Sequence, residues 1–196
     1  MRMEPRVGRP VGGFGRSCAG CGVNAFSLRR SWILGGATLL ALSLIALVDR
    51  WLIGGHGVPL LMAAFGASSI LLYGAPQSEM ARPWNIFVGG IGSACIGVAV
   101  TSLHPWLPLW LIEALAVALA IVYMGWSGSM HPPAGAIALL GASGEYGPLG
   151  FGFVLCPVAT GLLIMFLVAV VAHRLQPEGR YPRGATSGNV QQRKNL

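Results

Sequence analysis

The fold turns on the stretch Ser129–Ser143, SMHPPAGAIALLGAS. It sets a histidine and two prolines in an apolar chain and follows them with a run of small residues. Proline removes a backbone donor and kinks a helix interior, and an ionisable side chain is costly in hydrocarbon. The stretch therefore cannot be the middle of an ordinary membrane helix. Proline is tolerated in a first turn, where the N–H groups have no intrahelical partner, so Pro132 and Pro133 predict a helix that begins inside the protein. Its apolar part, Pro132–Ala142, is too short to span a bilayer unaided.

The surrounding composition makes the bilayer the relevant solvent. Of 196 residues, 54% are hydrophobic and 10% charged, against about 25% charged in a soluble domain. The net charge of +7 belongs to the ends. Residues 1–30 hold six arginines against Glu4, and residues 174–196 hold four arginines and Lys194 against Glu178. Basic tails could attract nucleic acid, but arginine beside an apolar segment is more simply a topology signal that places both ends in the cytoplasm. The reading is a multi-pass protein of the cell (inner) membrane without nucleic-acid partners, whose tails meet anionic lipid headgroups. No cleavable leader is recognised, because the first apolar run is long enough to span and lacks a small-residue cleavage site. The tails, 1–30 and 174–196, are too polar and glycine-rich to bury an apolar face and read as disordered; residues 31–173 form the membrane domain. Cys18 and Cys21 form a single CxxC without the partners of a zinc site, and Cys95 and Cys156 read as small packing residues. No metal or cofactor is predicted.

Six apolar segments follow one another: about Trp32–Val48, Val58–Tyr73, Ile86–Leu103, Leu107–Trp126, the opening stretch, and Leu149–Ala172. They recur in order. ASSILLYGA (Ala67–Ala75) and AGAIALLGA (Ala134–Ala142) share Ala, Ile, Leu, Gly and Ala at matching places. Each is preceded by a full-length span and followed by a proline-bearing turn and a glycine-rich span. The fold class is thus an all-α polytopic membrane protein of two long–short–long repeats, with four firm transmembrane helices and two short or broken segments. The short segments leave four crossings or six open; six makes the repeat inverted and is favoured. Short segments at corresponding places in two halves point to a transport site.

The candidate substrate-binding residues follow. At the start of the fifth segment, the amides of Ala134 and Gly135 after Pro132 and Pro133 are the next free donors, small side chains give access to them, and the helix dipole favours an anion. His131 stands at the same end and can add a hydrogen bond or a charge. The bland alternative is a tight turn whose histidine is satisfied by a backbone carbonyl. At the matching place in the second segment, Gly66 opens a turn and Ser68 and Ser69 line a pathway or merely pack; the two starts are expected to face one another near mid-membrane. Glu113 is either a proton-carrying carboxylate or an interfacial partner of a cation. Asp49–Arg50 and Glu79–Arg82 read as interfacial charges, and His56, His104 and His173 as solvated. GWSG (Gly125–Gly128) matches the GxSG of rhomboid-type intramembrane proteases, but His131 is too near in sequence to serve as the base; no catalytic residue, and no enzyme, is predicted.

FGASSILLYGAP, ARPWNIFVGGIGSACIGV and MHPPAGAIALL, in this order, resemble the blocks of the HPP family of integral membrane proteins over about residues 31–173. The resemblance implies a four-span core with a transport role. Some members are associated with nitrite, so a small inorganic anion becomes the leading substrate class. Where the family pattern carries a histidine after Gly-Gly, this chain reads Gly89-Gly90-Ile91. The competing class is a non-transporting membrane scaffold or subunit, and assembly as a homo-oligomer is left open.

Overall fold

The computed structural model describes residues 28–54, 58–176 and 181. Cys18, Cys21, His56 and most of both tails lie outside them. The described residues are all-helical, without strands. Helix α1 is Leu28–Ile53, and α2, Val58–Ser69, runs on through a wide π-type turn at Ile70–Gly74. The third helix opens in a π-type turn, Asn85–Gly89, continues as α3, Gly90–Val100, and tightens at Thr101–Leu103. After α4, Leu109–Ser127, comes the short α5, Pro133–Ala142. The sixth helix opens irregularly at Val154–Ala159, where Pro157 follows the non-helical Cys156, and continues as α6, Thr160–Arg174. Among the described residues, four stretches are long and apolar enough to cross a membrane: Leu28–Leu52, Asn85–Leu103, Leu109–Ser127 and Val154–Arg174.

Side-chain contacts fix the direction of each helix. Gly89 lies against Ser129 and His131, and Gly97 against Ala138. Thr101 Oγ1 donates to Gly141 O over 2.9 Å, so α3 and α5 are parallel. Helix α4 returns beside them, with Tyr123 at Gly92 and Ser127 O accepting from Trp84 Nε1. Phe65 meets Gly161, and Leu72 O meets His173 Nε2 at 2.8 Å, so α2 and α6 are parallel. Tyr146 stacks on Phe153, and burial, then the Asp49 and Glu145 carboxylates, push its hydroxyl up to about 12. That places the end of α1 beside the start of the sixth helix. The chain therefore passes six times between two ends of one bundle. One end holds Leu28, the 75–84 connection, Ser127–His131 and Arg174; the other holds Gly54, His104–Pro108 and Ser143–Gly150. The two halves, α1–α3 and α4–α6, run in opposite senses, which is the inverted repeat that six crossings require. Both third helices open in a π-type stretch, Asn85–Gly89 and Val154–Ala159, the second of them broken at Cys156.

All six tryptophans mark those ends. Trp32, Trp84 and Trp126 ring the first and Trp51, Trp106 and Trp110 the second, every one of them exposed. Trp32 and Trp51 are about 28 Å apart along α1, and Trp110 and Trp126 about 24 Å along α4, at 1.5 Å per residue. Those spans match a hydrocarbon layer of about 30 Å flanked by aromatic belts. Leu39, Leu47, Ile121, Val122, Leu163 and Leu167 face outward between them. Water does not drive helix against helix inside a bilayer, so close approach of small residues does the work instead. Gly89, Ser93 and Gly97 form one ridge of the third helix, four residues apart, against the fully buried Ala134, Ala138 and Ala142 of α5.

Three sequence readings need correction. Asp49 is not a solvent-facing charge: it is 2% exposed, and its Oδ1 has no hydrogen-bond partner, because the end of α1 packs it beside the buried Tyr146. Arg50 beside it is exposed. His173 is buried on Leu72 O instead of solvated, and the exposed His104 still touches Ala142 O through Nε2 at 3.2 Å. Within the region read as a disordered C-terminal tail, Gln176 and Tyr181 are buried. Glu79 and Arg82 form an exposed ion pair at 2.9 Å, as the sequence suggested.

Candidate functional site

Helix α4 stops at Gly128, whose positive φ of 62° caps it with the Gly128 N–H on Met124 O, a conformation glycine adopts without Cβ strain. The chain then turns back through Ser129–Pro132. Ser129 is fully buried, and its Oγ lies 2.6 Å from Ser127 Oγ. This reversal fits against α3 only because residue 89 is glycine: a Cβ there would stand 2.5 Å from Ser129 O and 3.3 Å from the His131 Cβ.

His131 is wholly buried. Its Nδ1 lies 3.2 Å from Met80 O and its Nε2 3.0 Å from Ser68 Oγ. A carbonyl only accepts, so Nδ1 carries hydrogen; in the neutral ring Nε2 then accepts from the Ser68 hydroxyl. The structure thus joins His131, at the start of α5 in one half, to Ser68 on α2 in the other. It answers the open question about the histidine with both a carbonyl and a cross-repeat partner.

The predicted free amides are not free. Ala134 N–H donates to His131 O at 2.9 Å and Gly135 N–H to Pro132 O at 3.1 Å. With no donor on Pro132 or Pro133, the turn that enters α5 consumes the next two. Pro133 and Ala134 are buried, Pro132 is exposed, and Gly135 lies near Val117. Gly66, Ser68 and Ser69 do not begin a helix either; they are interior to the run Val58–Gly74. Ser69 Oγ donates back to Gly66 O at 2.8 Å, a local packing bond. Nor does the pair sit mid-bundle. Gly89, at its level, is about 6 Å in from Asn85 along a helix whose midpoint is about 14 Å in, because the connection between α4 and α5 lies at that end of the bundle. Glu113 is half-buried in α4 and about 16 Å along that helix from Met124, which borders Gly89, so the fold does not bring it to His131.

Residues without a local signal complete the site. The short helical turn Glu79–Ala81, capped by Ser78 Oγ, supplies the Met80 carbonyl. Asn85 Nδ2 donates to Glu79 O at 2.8 Å, and the Tyr181 hydroxyl donates to Ala81 O at 2.9 Å. Ser93 is fully buried one turn deeper than Gly89 on the same ridge, and its hydroxyl has no partner. A polar residue opening an apolar span in ARPWN was the available hint for Asn85, and a lone aromatic in the basic tail for Tyr181. Ser127 Oγ donates to Tyr123 O, and His131 directs Nε2 to Ser68, so GWSG does not pair with this histidine. Among the described residues no cluster of His, Cys, Asp or Glu suits a metal ion.

The family model described as HPP, transmembrane region, matches residues 23–182. The match starts before and ends after the apolar body, taking in Tyr181. Two transmembrane proteins of Dictyostelium discoideum are similar. One is 39% identical over 125 residues, covering 62% of this chain and 40% of its own length. The other is 36% identical over 125 residues, covering 62% and 44%. The chain thus matches less than half the length of these curated relatives. No solved structure matches.

Proposed function

The chain belongs to the HPP transmembrane family of integral membrane proteins, and on that premise we propose that it carries a small inorganic anion across the cell membrane together with a proton, the His131–Ser68 pair receiving both. The observation that carries the reading is a buried histidine bonded across the two halves of an inverted repeat; ionisable residues at such places serve pathways far more often than packing. Nitrite, as the leading substrate, rests on the family resemblance.

In the neutral pair every donor is used. A proton arriving at Nε2 changes this: the ring, still held by Met80 O, presents Nε2–H, and the Ser68 hydroxyl hydrogen is released. Two donors and one positive charge then converge within 3.0 Å, which suits a compact monovalent anion. When proton and anion leave together, the pair closes again. The orphan hydroxyl of Ser93 offers the next polar contact toward the middle of the bundle. This replaces backbone amides with side chains as the anion's donors.

Charge supports an orientation. Among the described residues the end bearing the pair holds Arg29, Arg30, Arg82 and Arg174 against Glu79, and the other holds Arg50 with Asp49, Glu113 and Glu145. The positive-inside rule puts the first end, and both termini, in the cytoplasm.

A second reading has its own observation. Ser68 Oγ, His131 Nε2 and the carbonyl on Nδ1 have the spacing of a nucleophile, its base and an orienting group. Burial of both side chains and the spent amides of Ala134 and Gly135 argue against a hydrolase. A fluorophosphonate probe that labels the wild type but not Ser68→Ala would reverse that judgement. The transport reading is tested by nitrite entry into proteoliposomes: Ser68→Ala and His131→Ala are both expected to slow it with folded yield retained. Equal rates in all three proteins would overturn it.

A further inference from the structure

The turn Glu79–Ala81 offers three successive carbonyls to three different parts of the chain: Glu79 O to Asn85 on the third helix, Met80 O to His131, and Ala81 O to Tyr181. We infer that Tyr181, beyond the last membrane helix, is a positioning residue for the His131–Ser68 pair and acts through this turn. Its importance for anion flux rests on the transport reading; its effect on His131 does not.

Tyr181 is anchored at both of its ends. The ring packs near Phe166 and His173, with centroids 6.1 and 5.1 Å away, and is 6% exposed. His173 in turn holds Leu72 O at the end of the α2 run. The hydroxyl reaches Ala81 O, and Ala81 and Asn85 are buried with it, while the Met80 and Glu79 side chains point to solvent. The turn's own bonds are local, from Met80 N to Ser78 Oγ, Ala81 N to Ser78 O, Arg82 N to Glu79 O and the exposed Arg82 guanidinium to the Glu79 carboxylate, and none of them ties it to another helix. Its place is therefore set largely by the side chains that grip its carbonyls.

The chemical consequence lies one peptide away. Met80 O keeps hydrogen on the His131 Nδ1, and that leaves the Nε2 lone pair aimed at Ser68. If the turn withdraws, nothing distinguishes the two ring nitrogens. Hydrogen moves to Nε2 in part of the population, and Ser68 must accept instead of donate. The pair then loses the single arrangement from which a proton can switch it.

The test is Tyr181→Phe in the full chain, which removes the hydroxyl and keeps the ring. Two measurements are made on each protein: hydrogen exchange of the Met80, Ala81 and Arg82 amides, and ring-nitrogen resonances of His131, assigned by their loss in His131→Gln. Exchange is expected to quicken about fivefold, the size set by one net hydrogen bond, and the His131 signals to change from one Nδ1–H tautomer to a mixture. Asn85→Ala attacks the same turn from another side and is expected to give the same mixture. Unchanged exchange and tautomer in Tyr181→Phe overturn the inference. So does faster exchange with an unchanged tautomer, or a tautomer that responds to Asn85→Ala alone. Absence of nitrite flux in the wild type defeats the transport reading and leaves these two measurements to decide.

Discussion

Gly97→Ala probes the seam that holds the two halves together. A Cβ on Gly97 would collide with Ala138 O and come within 3.0 Å of the Ala138 carbonyl carbon and 3.1 Å of its Cα. All three are backbone atoms, so no rotamer relieves them. A carbon approaches a carbonyl oxygen comfortably at about 3.3–3.6 Å, so α3 and α5 must part by about 1 Å at this level. They are not free to do so. A Cβ on Gly141 would likewise stand 3.1–3.2 Å from the Gly97 and Val98 backbone, and Thr101 Oγ1 ties Gly141 O to α3. Overpacking typically costs about 1–3 kcal/mol, and a backbone collision belongs at the upper end, about 3 kcal/mol. At about 2–4 °C per kcal/mol, the apparent melting temperature in detergent falls by about 6–12 °C. Intrinsic tryptophan fluorescence at a fixed scan rate reads it. Gly35→Ala is the control: a Cβ there meets nothing within 4 Å, and the melting point is expected to hold. Melting of Gly97→Ala within about 1 °C of that control would refute a backbone-tight seam.

Ser93→Ala removes a buried hydroxyl without a partner and is expected to raise the melting point, since an unsatisfied buried group costs about 1–3 kcal/mol; a lowered one would show that the hydroxyl is bonded. With the four native cysteines replaced, single cysteines at the exposed Gln77 and Glu145 are expected to label from opposite sides of sealed vesicles; labelling from one side would restore four crossings. Glu113→Gln leaves nitrite flux near wild type, because the carboxyl stands far from the pair; loss of flux comparable to that of His131→Ala would return Glu113 to the pathway.

How much of this was legible in the sequence depends on the range of the interaction. Six segments, the repeat, and a helix that opens at Pro132 and Pro133 follow from hydropathy and from where proline is tolerated, and the structure has all of them, with Pro132 as the cap and Pro133 as the first helical residue. The spent amides of Ala134 and Gly135 were not legible, because proline spacing shows which donors are missing and not where the remaining ones point. Ser68 and His131 were each recognisable as polar in apolar surroundings; their bond spans 63 positions and belongs to packing. The same is true of Tyr181 and Ala81, 100 positions apart. The burial of Asp49 was not legible, because a DRW triplet marks where an apolar run ends and says nothing of what packs against it; its place beside Tyr146, nearly a hundred positions on, belongs to tertiary packing.

The proton-linked role of His131 is tested most directly by nitrite uptake into proteoliposomes at about pH 7.5 and about pH 6, each corrected for protein-free vesicles. The wild type should carry nitrite faster at the lower pH, where more protons are available to move with the anion, and His131→Ala should lose both the flux and the acceleration. Corrected uptake that is zero at both values, or equally fast in wild type and His131→Ala, would contradict it.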